Sequence, residues 1–208
     1  MMAERASWDR AIRQAPVIEP IQPQLLRSPV DFLFAEHYRQ RVVLNHLERA
    51  AADPAMPDRT RVVKAILEYL RRDLPYHVQD EERDLFPLMR KRCLAKDRID
   101  AVFRILSAEH AGDDELADLL IDALEQRRGS GDQAPAIALE RVAHAFAETQ
   151  RRHLVWENTL VLPLARQRLT DPDLVRLGRK MAARRSIPFP KSTAAGRALS
   201  AFRSVLRG

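Results

Sequence analysis

The 208-residue sequence has one cysteine, Cys93, and six glycines. A lone cysteine excludes an internal disulfide framework and any zinc site built on paired thiolates. So few glycines exclude a collagen-like or glycine-rich low-complexity chain. No stretch approaches the roughly 18 consecutive apolar residues of a spanning helix. The opening Met1-Met2-Ala3-Glu4-Arg5-Ala6-Ser7-Trp8-Asp9-Arg10 lacks the apolar core of a secretory leader. The expected location is therefore cytoplasmic. Sustained period-two alternation is missing too, so the sequence predicts an all-α chain.

What is present is a globular composition, 46% hydrophobic and 31% charged, in a chain long enough to bury a core unaided. Residues 1–29 carry Pro16, Pro20, Pro23 and Pro29 and read as an irregular lead-in. From Val30 apolar residues recur at helical spacing until Asp53-Pro54. A second segment opens at Pro57-Asp58 and ends near Cys93, and a third runs from about Asp97 to Arg128, with Gly129-Ser130-Gly131 as its stop. A fourth starts near Ala134-Pro135 and ends about Leu169. Four amphipathic segments joined by short turns predict an up-down-up-down four-helix bundle over 30–169. Beyond it, Thr170-Asp171-Pro172 caps a shorter helix to about Arg185, Ser186-Ile187-Pro188-Phe189-Pro190 breaks it, and Ala194 to Leu206 reads as a last small helix.

An internal repeat carries the chemistry. His77 and Glu81, followed by Phe86-Pro87-Leu88, share the pattern H-x₃-E-x₄-[FL]-P-L with His153 and Glu157, followed by Leu162-Pro163-Leu164. The other two segments match each other as well, Ala35-Glu36-His37 against Ala108-Glu109-His110. Residues at i and i+4 differ by about 40° in azimuth, so each His-x₃-Glu projects from one helix face. Glu82 stands roughly 140° from His77 and is not expected on that face. His46 and His144 lie nine residues from His37 and His153, about two and a half turns, and so face the other way.

Four imidazoles and two carboxylates converging inside a bundle suit a dinuclear metal site. The donor set fits iron or manganese, and zinc also binds imidazole. Each metal would take two histidines, with Glu81 and Glu157 bridging. A solvent-derived oxo or hydroxo bridge brings the count to about five ligands per metal and leaves a position for a small molecule. The two carboxylates become acceptable in the interior because the cations compensate them.

These residues resemble the hemerythrin-like, or HHE cation-binding, family of non-heme diiron proteins, over about residues 30–168. The most specific stretch is Leu74-Pro75-Tyr76-His77-Val78-Gln79-Asp80-Glu81-Glu82-Arg83-Asp84-Leu85-Phe86-Pro87-Leu88. The resemblance implies two iron ions in a diiron-oxo centre, with His37, His77, Glu81, His110, His153 and Glu157 as ligands and both glutamates bridging. Oxygen-carrying members have a further histidine one turn after the lone histidine of the third helix; here that position is Asp114. Four histidines imply a more symmetric and open site, closer to the branch linked to iron handling and nitrosative damage; Asp114 is either an extra ligand or, as expected in preference, an exposed acidic residue. The implied role is binding of O₂, NO or peroxide for sensing, storage or stress response rather than catalysis. The alternatives are a diiron redox enzyme, oxidising ferrous iron or reducing peroxide or NO, and a sensor whose tail contacts DNA, a membrane or a partner protein.

Pro75, just before His77, is expected to kink its helix or to free a carbonyl that holds an imidazole N–H. The basic neighbours of Cys93 act to lower its pKa, but the thiol is expected to be incidental. The formal net charge of +6 raises nucleic acid or an anionic surface as a partner. Residues 171–208 hold nine Arg and Lys against Asp171 and Asp173, net +7, which leaves −1 for the rest. No nucleic-acid motif is recognisable, so the tail at 170–208 is expected to pack on the bundle or to mediate a dimer or partner contact.

Overall fold

The computed structural model describes residues 17–129 and 136–191. Among these residues there is no strand, and five helices dominate. We label them α1 (Pro29–Ala52), α2 (59–92), α3 (Ile99–Gly129), α4 (136–168) and α5 (Asp171–Arg184). Short 3₁₀ turns at Pro23–Arg27 and Ala95–Asp97 precede α1 and α3. α1 begins one residue inside the expected lead-in, because Pro29 occupies its first turn, where a missing N–H costs nothing. The expected stop at Ser130-Gly131, the start at Ala134-Pro135, the helix over Ala194 to Leu206 and most of the N-terminal lead-in lie outside the described residues.

Each helix of the bundle packs on its sequence neighbour, and α4 closes the ring against both α3 and α1. The core has two apolar layers. One gathers Leu44, Leu47, Val63, Ile66, Leu120 and Phe146; the other gathers Leu33, Phe86, Met89, Phe103, Leu106 and Leu162. On α1 the sequence passes from Leu33 through His37 to Val43, and on α2 from Leu70 through His77 and Glu81 to Leu85. On α3 and α4 the same order holds, Leu106–His110–Ala117 and Ala147–His153–Glu157–Val161. All six repeat residues therefore fall in one polar slab between two greasy ones.

Helices α2 and α4 are continuous but not regular. Three π turns interrupt them, at Tyr69–Asp73, Glu81–Leu85 and Glu157–Val161. Each ends one residue before a Leu-Pro or Phe-Pro step, and the N–H of Leu74, Phe86 or Leu162 bonds the carbonyl five residues back. A proline ring collides with the carbonyl four residues back and offers it no donor; widening the preceding turn accommodates both defects without ending the helix. Pro75 thus leaves α2 continuous, with a π turn taking up the defect.

α5 is part of the packed body. A capping box at Thr170 and Asp173 starts it, and Leu177, Met181 and Ala182 join the apolar layer of Leu33, Phe86 and Phe103. Gly178 meets the 3₁₀ turn so closely that a Cβ there would stand 2.0 Å from the Leu26 carbonyl oxygen. Much of its positive charge is spent inside the molecule. Arg184 pairs with Asp80 and Asp84, Lys180 with Asp84 at 2.5 Å, and Arg185 with Asp80 at 2.7 Å and Glu36 at 2.9 Å. No described helix is long and apolar enough to cross a membrane.

Candidate metal centre

The six residues singled out by the repeat are all buried and all meet. The ligating atoms of His37, His77, Glu81 and Glu157 lie within 4.8 Å of one another, and so do those of Glu81, His110, His153 and Glu157. The two groups share both glutamates. His37 Nε2 sits 3.7 Å from Glu81 and 3.4 Å from Glu157, and His77 and His110 Nε2 sit 3.6 and 3.5 Å from Glu81 Oε2. His153 Nε2 is 2.9 Å from Glu157 Oε1.

Every imidazole turns Nε2 inward, and for three of the four an outer partner takes the Nδ1–H, while His153 Nδ1 has a carboxylate nearby but no hydrogen bond. His37 donates to Asn158 Oδ1 at 2.9 Å, His77 to Glu36 at 3.2 Å and His110 to Glu82 at 2.6 Å; His153 Nδ1 faces Glu109 at 3.4 Å. An acceptor at Nδ1 selects the tautomer whose Nε2 lone pair is free for a metal. Sequence reasoning missed these four outer partners. Two were visible in the repeat as the glutamates of Ala35-Glu36-His37 and Ala108-Glu109-His110. The other two, Glu82 and Asn158, directly follow the inward glutamates and sit in the π turns, off the ligand face that a regular helix would define. The partner of His77 is the Glu36 carboxylate rather than a carbonyl freed by Pro75.

Electrostatics explain how so much charge survives burial. Desolvation by itself would lower the His77 pKa, but the Glu81 and Glu36 carboxylates outweigh it and raise it to about 9. Burial likewise acts against protonated His110, and Glu81 and Glu82 overcome it, to about 10. His153 is raised by Glu157 against the same penalty. Glu81, which burial would raise, is held well below the usual carboxylate range by His77, His110 and His37. Without a metal, protons on the imidazoles compensate the two carboxylates.

A pocket of about 10 Å³, room for about one water, opens beside the cluster between His77, His110, His153, Gln40, Asp113 and Gln150. Gln40 donates to Gln150, which donates to Asp113 at 2.5 Å. Burial pushes the Asp113 carboxyl up to about 6, with His153 and Gln150 opposing. Asp114, at the position of the extra histidine, is exposed and stands outside both ligand groups; the buried acid beside the site is Asp113.

The discarded histidines are elsewhere, His144 exposed and paired with Glu48, His46 half-buried on the far face of α1. Cys93 is no activated thiol, since burial and Asp97 raise its pKa against the pull of Arg168. Tyr38 and Trp156 point to solvent, and Tyr76 lies against the Arg185 guanidinium.

The family model of the hemerythrin HHE cation binding domain matches residues 28–165. An uncharacterised protein of Haemophilus influenzae is 25% identical over 179 residues, covering 82% of this chain and 98% of that protein. No solved structure matches.

Proposed function

The chain belongs to the hemerythrin HHE cation-binding domain family, and from that premise we propose that its His–Glu cluster binds two iron ions and, through them, a small ligand. The ligand class is O₂, NO or peroxide, and the role is sensing, storage or response to oxidative and nitrosative stress, with iron handling.

One observation carries the reading. His37 Nε2, both oxygens of Glu81 and Glu157 Oε2 are buried with no hydrogen-bond partner, and all converge on one place. Buried polar atoms are rarely left unpaired, and a pair of cations supplies what these atoms lack. Imidazole nitrogens with carboxylate oxygens are donors suited to iron, so the residues fit the group. His37 with His77, and His110 with His153, would each hold one ion, and Glu81 and Glu157 would span both. Bound iron supplies redox chemistry and open coordination positions. The chain's own contribution is to fix three imidazoles through Glu36, Glu82 and Asn158, and to exclude bulk water between two apolar layers. The small pocket beside the cluster, with room for about one water, is where a small ligand would approach.

Protein purified from iron-supplied cells should carry about two iron ions per chain, with near-ultraviolet charge-transfer absorption. Glu81→Gln should lower the iron content to about one ion or less, since both positions lose a donor. Metal-free protein that refuses reconstitution with ferrous iron would refute the assignment.

A further inference from the structure

The two halves of the cluster are related by the internal repeat, which makes their differences legible. Glu36 and Glu109 correspond, as do His37 and His110, His77 and His153, and Glu81 and Glu157. Outer contacts follow the same symmetry. Within a repeat, Glu36 holds His77 and Glu109 faces His153; between repeats, Glu82 holds His110 and Asn158 holds His37. The correspondence fails at one outer position. Where the first repeat has the carboxylate Glu82, the second has the neutral amide Asn158.

A second difference acts in the same direction. Glu36 is engaged by the largely buried Arg185 guanidinium at 2.9 Å, which cancels much of its charge. Glu82 has the Ser107 hydroxyl as its other partner, at 3.0 Å. Among the described residues the guanidinium paired with Glu109 is that of Arg152, 3.4 Å away and mostly solvated, where water screens it. The position between His37 and His77 is therefore backed by one neutral amide and one neutralised carboxylate. The position between His110 and His153 is backed by the Glu82 carboxylate bonded to His110, with the Glu109 carboxylate 3.4 Å from His153 Nδ1 but not bonded to it. A carboxylate on Nδ1–H makes the opposite imidazole nitrogen more basic and adds negative charge near the ion; an amide does neither.

We propose that the two metal positions are inequivalent, and that the His110–His153 position is the tighter, filling first with a divalent cation, because of Glu82 and Asn158. This rests on the dinuclear reading above. Glu82 and Asn158 act as positioning residues, through the histidines they hold.

Cobalt(II), whose visible absorption reports coordination, is the probe, titrated into the metal-free full-length chain. Repulsion between two bound cations also separates binding steps, so the positions are compared one at a time. His37→Ala leaves the His110–His153 position, and His110→Ala leaves the other. The first variant should bind one cobalt about tenfold or more tightly than the second. Adding Glu82→Gln to His37→Ala should weaken that site about tenfold, and adding Asn158→Glu to His110→Ala should tighten the other by a similar factor. A gain on Asn158→Glu is the reading a merely structural role would not produce. The same two outer substitutions in the intact four-histidine chain, with helical content followed by circular dichroism, serve if a histidine variant unfolds. There, each should bring the two binding steps closer together. Equal affinities in the single-position variants, or steps unmoved by both substitutions, would overturn the inequivalence while leaving the dinuclear site standing. A wild-type chain that takes up no cobalt and no iron would overturn the dinuclear reading itself, and this inference with it.

Discussion

At the scale of residues, the proposed metal site is one where protons and metal ions would compete. An exposed imidazole in the unfolded chain titrates near 6.5, while His77 in the metal-free fold is raised to about 9 and His110 to about 10. The stabilisation from their protonation is complete below about pH 6.5 and is lost as pH rises through those folded values. Metal-free wild-type protein should therefore melt well above His77→Gln at pH 5.5, and the gap should narrow toward pH 10, by thermal circular dichroism. Metal uptake at pH 7 should release protons, detectable with an indicator in weakly buffered solution, because the ligating nitrogens must give theirs up. A gap that does not change with pH would mean the imidazole protons contribute nothing to folding.

At the scale of elements, the π turns join the repeat motif to the site. The proline that follows each inward glutamate enforces a wide turn beginning at that glutamate, and the residue after it, Glu82 or Asn158, swings into reach of a histidine on another helix. A π turn holds one residue more than the α-helix around it. Deleting the exposed Thr159 together with Pro163→Ala, which removes the ring that demands the wide turn, should let α4 close into a regular helix, with melting within a few degrees of wild type, while metal affinity falls at least about tenfold because Glu157 and Asn158 lose their aim. Deletion in an ordinary helix would turn everything beyond it by about 100° and unpack the core. Glycines give a paired test of α5 docking. Gly178→Ala should destabilise by about 1–3 kcal/mol, since its Cβ would strike backbone at Leu26. Gly112→Ala, with nothing within 4 Å, should be neutral or stabilising by up to about 1 kcal/mol. Urea denaturation measures both.

At the scale of the whole molecule, the basic excess and the fifth helix are one subject. Asp80 and Asp84 on α2 are buried, and Arg184, Arg185 and Lys180 reach across to neutralise them. Removing one partner of a buried ion pair typically costs about 3–5 kcal/mol. Arg184→Ala should fall below that range, at about 2–3 kcal/mol, because each aspartate keeps one cation. The corresponding drop in melting temperature is roughly 5–10 °C. An unchanged melting temperature would mean these pairs are solvated in solution. The same network touches the site, for Arg185 bonds the Glu36 that holds His77.

The sequence by itself determined the helices, their order and the inward six. Those follow from the apolar period, the proline and aspartate stops, and the i, i+4 spacing of His77–Glu81 and His153–Glu157, all of which are local geometry. Even the rejection of His46 and His144 needed only the helical angle. Tertiary structure decided which histidine stands with which, since His37 joins His77 and His110 joins His153 through shared glutamates on different helices. It also decided what lies behind them. Glu82 and Asn158 reach their histidines across helix interfaces, Asp113 rather than Asp114 is buried beside the site, and Arg184 and Arg185 find carboxylates about a hundred residues earlier. Such pairings depend on how helices are rotated and stacked against one another, and no periodicity within a single segment encodes that.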